Sequence, residues 1–132
     1  MDEGGNARRP RVLVVEDTVL HADEIASALV DEGFDVVGPA GRRSHALDLA
    51  LHADLDAAVL DVRLQDDSSF PVASVLAERH VPFMFLTAVW IEALPEEFRG
   101  VPVLAKPYDP RELCRMVRSL VRRPWLYRQS RE

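Results

Sequence analysis

Residues 12–17 read VLVVED: Val12, Leu13, Val14 and Val15 are apolar without alternation, and Glu16 and Asp17 follow at once. An unbroken aliphatic run of this kind suits a strand buried on both faces, as in a parallel sheet. The two carboxylates put charge where that strand leaves the core. Four further runs repeat the theme outward along the chain: Phe34–Gly38, Ala57–Leu60, Pro82–Leu86 and Val101–Ala105. Amphipathic stretches lie between them. Ala22, Ile25, Ala26 and Leu29 share one helical face, with Gly33 as a stop. Ala46, Leu49, Ala50 and Ala53 make a second stripe, and Val72, Val75 and Leu76 a shorter third. The last helix has Asp109 as a cap, Pro110 in its first turn and Glu112 to complete a capping box. Leu113, Met116, Val117 and Leu120 then line one face. Between 88 and 100, Pro95 removes a backbone donor, so a short or irregular helix is expected there.

Strands alternating with helices, without an internal repeat, predict an α/β fold: a parallel sheet covered on both faces, with right-handed crossovers. Ligands of such folds sit beyond the carboxyl ends of the strands. At those ends stand Glu16 and Asp17 after the first run, Asp61 after the third, Thr87 after the fourth and Lys106 after the fifth. Clustered carboxylates are costly to bury without a cation, and carboxylate and water oxygens are the ligands Mg²⁺ prefers. An aspartate can act as a nucleophile and form an aspartyl-phosphate. An ammonium at Lys106 and a hydroxyl at Thr87 suit two of the phosphoryl oxygens. Lys106 is the only lysine beside fifteen arginines, so a compact ammonium has been kept at this one strand end.

The 132 residues suffice for one domain, expected at 11–123, with a disordered segment at 1–10 and a tail at 124–132. A net charge of −6 argues against nucleic acid as a partner. The charge is uneven: residues 1–110 carry 9 basic and 20 acidic side chains, residues 111–132 carry 7 arginines and 2 glutamates. The basic end reads either as a solvated helix face with a tail, or as a docking surface for an acidic partner or a second copy. The run Val81–Ile91 is far shorter than a membrane span and contains Pro82. The polar start is unlike a signal peptide, and the lone Cys114 suits a reducing cytoplasm, where the protein is expected. His21, His45, His52 and His80 show no ligand spacing, and none has the context of a phosphodonor, so the donor is expected outside the chain. No glycine-rich phosphate loop is present, and Arg63 stands where a haloacid-dehalogenase-type phosphatase needs a second Asp.

Together, VLVVED (12–17), AAVLDVRL (57–64), FLTA (85–88) and VLAKP (103–107) resemble the response-regulator receiver family, from about Arg11 to Val121. The resemblance implies a flavodoxin-like, doubly wound sheet of five parallel strands in the order 2-1-3-4-5. It implies Asp61 as phosphoacceptor, with Thr87 and Lys106 as its catalytic companions. Mg²⁺ would be held by Asp61, Asp17 and the Arg63 carbonyl, with Glu16 acting through a metal-bound water. A cis Lys106–Pro107 bond is also implied. The donor would be a sensor histidine kinase or a histidine phosphotransfer protein. The only chemistry implied is self-directed, phosphoryl transfer and autodephosphorylation, so the chain is not expected to be an enzyme. The stretch Phe85–Trp90 looks like a divergent Phe-Ala-Thr-Gly signature of a single-domain receiver subgroup. Two residues depart from the family: Gln65 stands where many receivers have proline, and Val103 where many have an aromatic switch residue. No output domain is expected after the receiver, so signalling by protein docking is expected, with a readout through 88–100 and the last helix. A homodimer through that helix is a further expectation. The alternatives are a phosphate sink or relay, and a pseudo-receiver that binds partners without phosphorylation.

Overall fold

The computed structural model describes residues 8–65, 67–88 and 94–122. Five strands, β1 (Arg11–Val15), β2 (Asp35–Ala40), β3 (Ala57–Asp61), β4 (Phe83–Thr87) and β5 (Val103–Ala105), form one parallel sheet in the order β2-β1-β3-β4-β5. Among the described residues four helices connect or follow them: α1 (Val19–Asp31), α2 (Arg43–His52), α3 (Phe70–Glu78) and α4 (Pro110–Arg122). The expected architecture and strand order are the observed ones.

Side chains of a strand alternate between faces, and here both faces are apolar. Leu13, Val15, Leu60, Phe83 and Phe85 pack with Ala46, Ala50, Val72 and Leu76 of α2 and α3. Val12, Val14, Val59, Met84 and Leu86 pack with Ile25 and Leu29 of α1 and Leu113, Val117 and Leu120 of α4. The continuous runs in the sequence are the consequence.

Strand boundaries differ slightly from expectation. β2 continues to Ala40, with a register slip opposite Leu13 and Val15 and a cis Gly38–Pro39 bond that the sequence reading did not anticipate. A Cβ on Gly38 would lie 2.8 Å from the Ala40 nitrogen, and its φ is +94°, so only glycine fits. β5 is shorter than the run 101–105, because its ladder begins at Val103. Gly33, at φ +97°, ends α1 as expected; the next N–H, that of Phe34, returns 3.0 Å to the Leu29 carbonyl. At α4, the Asp109 carboxylate accepts from the Arg111 N–H at 2.9 Å. Glu112 does not complete the capping box; it meets Arg115 at 2.9 Å.

Between β4 and β5 the described part holds a single 3₁₀ turn, Glu96–Phe98. Phe98 is fully buried, 5.7–6.0 Å between ring centroids from Phe70, Phe83 and Phe85. Val89 and Trp90 of the signature-like stretch, residues 91–93, and the segments 1–7 and 123–132 lie outside the described residues. Residues 8–10 are described and engaged. The Pro10 carbonyl accepts from the Asp35 N–H at 2.9 Å, and Arg8 meets Asp56 at 3.3 Å.

Three arginines of the basic end are paired within the chain: Arg111 with Asp109, Arg115 with Glu112 and Arg118 with Glu32. Arg118 also donates to the Glu32 carbonyl at 3.0 Å and lies over the Phe34 ring, closing the end of α1. Cys114 is a packed thiol whose S–H points to the Ala28 carbonyl, and burial pushes its pKa up. Among the described residues no helix is long and apolar enough to cross a membrane.

Candidate functional site

The sheet register brings the strand ends together. Val15 pairs with Leu60, Asp61 with Leu86 and Thr87 with Ala105, so the residues at and just beyond these positions share one rim. Asp61 closes β3 and Thr87 closes β4, both buried. Glu16, just past β1, is buried too, whereas Asp17 is partly exposed. Lys106 follows β5, and its N–H donates to the Thr87 carbonyl at 2.7 Å. The Lys106–Pro107 bond is cis, as expected.

Lys106 is the hub. Its Nζ donates to Glu16 Oε1 at 2.9 Å and to Asp61 Oδ2 at 2.8 Å. The second oxygen of each carboxylate takes a backbone N–H: Glu16 Oε2 from Thr18 at 3.1 Å, Asp61 Oδ1 from Arg63 at 3.3 Å. Asp17 Oδ2 accepts from the Gln65 N–H. One oxygen each of Glu16, Asp17 and Asp61 lies within 4.8 Å of the other two. Arg63 also forms an isolated antiparallel bridge with Ser68, so its backbone belongs to the loop that folds over the rim.

Burial sets the electrostatics. The Glu16 side chain is wholly inaccessible, and desolvation raises its pKa despite the Lys106 hydrogen bond. Burial acts against the Lys106 charge as well, but its ammonium keeps some solvent and faces two carboxylates, which outweigh burial and raise its pKa. Three carboxylates and one ammonium leave two formal negative charges. An all-oxygen donor set with that surplus fits a hard divalent cation such as Mg²⁺, and lacks the nitrogen and sulfur ligands typical of zinc.

Two side chains near the rim carried no signal in the sequence. His21 and Tyr108 line a groove with Glu24, Ala88, Lys106 and Pro107. Burial pushes the Tyr108 phenol up to about 12. Spacing alone could not place His21 and Lys106 in one groove, because the two are 85 positions apart and share it only in the folded chain. Val19 and Leu20, in the first turn of α1 next to the rim, are 75% and 67% exposed. Val103 is also exposed, so no ring occupies that point of β5.

Residues 12–118 match the family model for the response regulator receiver domain. The transcriptional regulatory protein CreB of Escherichia coli K12 is 38% identical over 121 residues, covering 88% of this chain and 52% of CreB. The transcriptional regulatory protein PdtaR of Mycobacterium tuberculosis is 31% identical over 86% of the chain and 57% of its own length. The chain therefore spans about half the length of the curated relatives it matches. Among solved structures, SdrG from Sphingomonas melonis Fr1 is 32% identical with a TM-score of 0.74, covering 86% of this chain and 97% of SdrG.

Proposed function

The chain belongs to the response regulator receiver domain family, and on that premise we propose that it takes a phosphoryl group from a histidine kinase or histidine phosphotransfer protein onto Asp61 and signals by docking to another protein. The observation that carries this reading is the Lys106 ammonium bridging Glu16 and Asp61 beside the converging oxygen of Asp17. Asp17, Asp61 and the Arg63 carbonyl would hold Mg²⁺, with Glu16 reaching it through water. Bound there, Mg²⁺ supplies positive charge against the phosphoryl oxygens.

The residues of the chain do the rest. Asp61 attacks the phosphorus, an O–P bond forms, and the P–N bond to the donor imidazole breaks with its electron pair left on nitrogen. Lys106, which rests 2.8 Å from Asp61 Oδ2, passes from that oxygen to a phosphoryl oxygen as the carboxylate gives up its charge. Thr87 closes the neighbouring strand, where its hydroxyl serves a second phosphoryl oxygen. Exposed Val19 and Leu20 beside the mouth of the site supply an apolar contact for a protein donor. The paired arginines of α4 favour a solvated face there over a dimer surface. The net charge of −6 supports a protein partner rather than nucleic acid, in the cytoplasm with the donor. The phosphoryl group is taken up and released at the receiver's own Asp61.

With Mg²⁺ and acetyl phosphate, the intact mass should rise by one phosphoryl group, and Asp61→Asn should abolish the increase. Equal labelling of the variant moves the acceptor elsewhere. An unlabelled wild type, with either acetyl phosphate or a kinase, makes the chain a phosphorylation-independent binding module.

A further inference from the structure

Glu16 and Asp61 are buried, and each is held from two sides, by Lys106 and by a backbone N–H. Asp17 is the partly exposed member of the trio, and its hydrogen bond comes from the Gln65 N–H. Repulsion from two neighbouring carboxylates favours a partly exposed one swinging out to water. Something must hold it in.

We propose that the backbone N–H of Gln65 is a positioning group that keeps the Asp17 carboxylate turned toward Glu16 and Asp61 and thereby sets the Mg²⁺ affinity of the rim. The proposal rests on the metal site argued above. Three observations support it. With the Gln65 bond in place, oxygens of all three carboxylates already converge within 4.8 Å. The amide comes from a braced loop: Ser69 N–H returns to the Val62 carbonyl at 3.0 Å, Leu64 N–H reaches the Asp67 carbonyl at 2.7 Å, and Arg43 meets Asp67 at 2.8 Å from α2. A carboxylate has two oxygens, so Oδ2 can take the N–H while the other faces the cation, the arrangement that fixes a metal ligand's orientation.

This contact is available only because residue 65 is not proline. Proline has no N–H, so a chain with the residue many receivers carry at this position would hold its acidic residue by other means. The departure at Gln65 adds a donor.

Isothermal titration of Mg²⁺ into five proteins tests the idea. Gln65→Ala keeps the N–H and should bind as wild type does. Gln65→Pro removes it, and Kd should rise by about tenfold, the lower end of what losing an orienting partner of a metal ligand costs. Asp17→Asn should abolish binding. Because proline also restrains φ, an α-hydroxy acid at position 65, which replaces only the N–H with an ester oxygen, should weaken binding in the same way. Folded Gln65→Pro and ester proteins that bind as tightly as Gln65→Ala overturn the positioning role. A wild type that does not bind, or Asp17→Asn binding like wild type, overturns the metal site itself, so the two failures read differently.

Discussion

Residues 62–69 and 94–102 both join strands of the sheet, the first leaving Asp61 at the acidic rim and the second entering β5 from the sheet's opposite end, and they are fastened by different means. The first is tied to the rim by polar contacts, with Leu64 buried in the core beneath them. Arg63 and Gln65 donate backbone N–H groups to Asp61 and Asp17, and Arg43 grips Asp67. The second is plugged by one ring, Phe98, inserted among Phe70, Phe83 and Phe85. Polar ties to carboxylates depend on the charge those carboxylates carry, on salt and on pH. A buried aromatic contact depends on none of these to first order. Charge arriving at Asp61 should therefore be felt in the first segment, while the second contributes stability.

The largest expected effect belongs to the ring. Phe98→Ala should destabilise the fold by about 3–5 kcal/mol in urea unfolding, the usual loss for a buried aromatic truncated to alanine. The increment that Mg²⁺ adds to stability should stay as in wild type. A loss below about 1 kcal/mol, on the same scale, would mean that the plug collapses without consequence.

Arg43→Met should have a much smaller global effect, because Arg43 and Asp67 are both substantially solvent-exposed. Its mark should be local, as faster amide exchange within 62–69. Acid should act in the same direction. The Ser68 N–H, and then Arg43, hold the Asp67 carboxyl below its usual 3.8. A depressed pKa stabilises above the unfolded value and is lost as pH falls through the folded one, so loosening should begin below about pH 4. A global loss comparable to that of Phe98→Ala would erase the distinction between the two segments.

The rim was legible in the sequence because each of its residues ends an apolar run, and a parallel sheet brings strand ends to one edge. VLVVED, Asp61, Thr87 and the lone lysine could be read one by one. What held them was not legible. A backbone N–H has no residue signature, so the absence of proline at Gln65 showed that a donor existed without showing that it reaches Asp17, 48 positions away. Lys106 was expected to meet a phosphoryl oxygen; its resting partners, Glu16 and Asp61, follow only from the β-sheet register. Phe98 was missed because it sits alone after Glu96 and Glu97, without the periodicity that announces a buried face. Phe98 and Val101 are both buried, so the later part of the connection to β5 is packed into the core. The capping box at α4 misled because Arg115, one turn on, competes for Glu112.

Hydrogen exchange followed by mass spectrometry, on phosphorylated and unphosphorylated protein in the same Mg²⁺ buffer, tests the contrast most directly. Asp61→Asn treated with the same phosphodonor serves as the control. The Arg63 N–H now bonded to Asp61 Oδ1 loses a carboxylate charge when Asp61 becomes an acyl phosphate, and the loop that carries it should change protection across 62–69. Residues 96–101, held by Phe98 and Val101, should exchange as before. Unchanged exchange in 62–69 together with altered exchange across 96–101 would contradict the account.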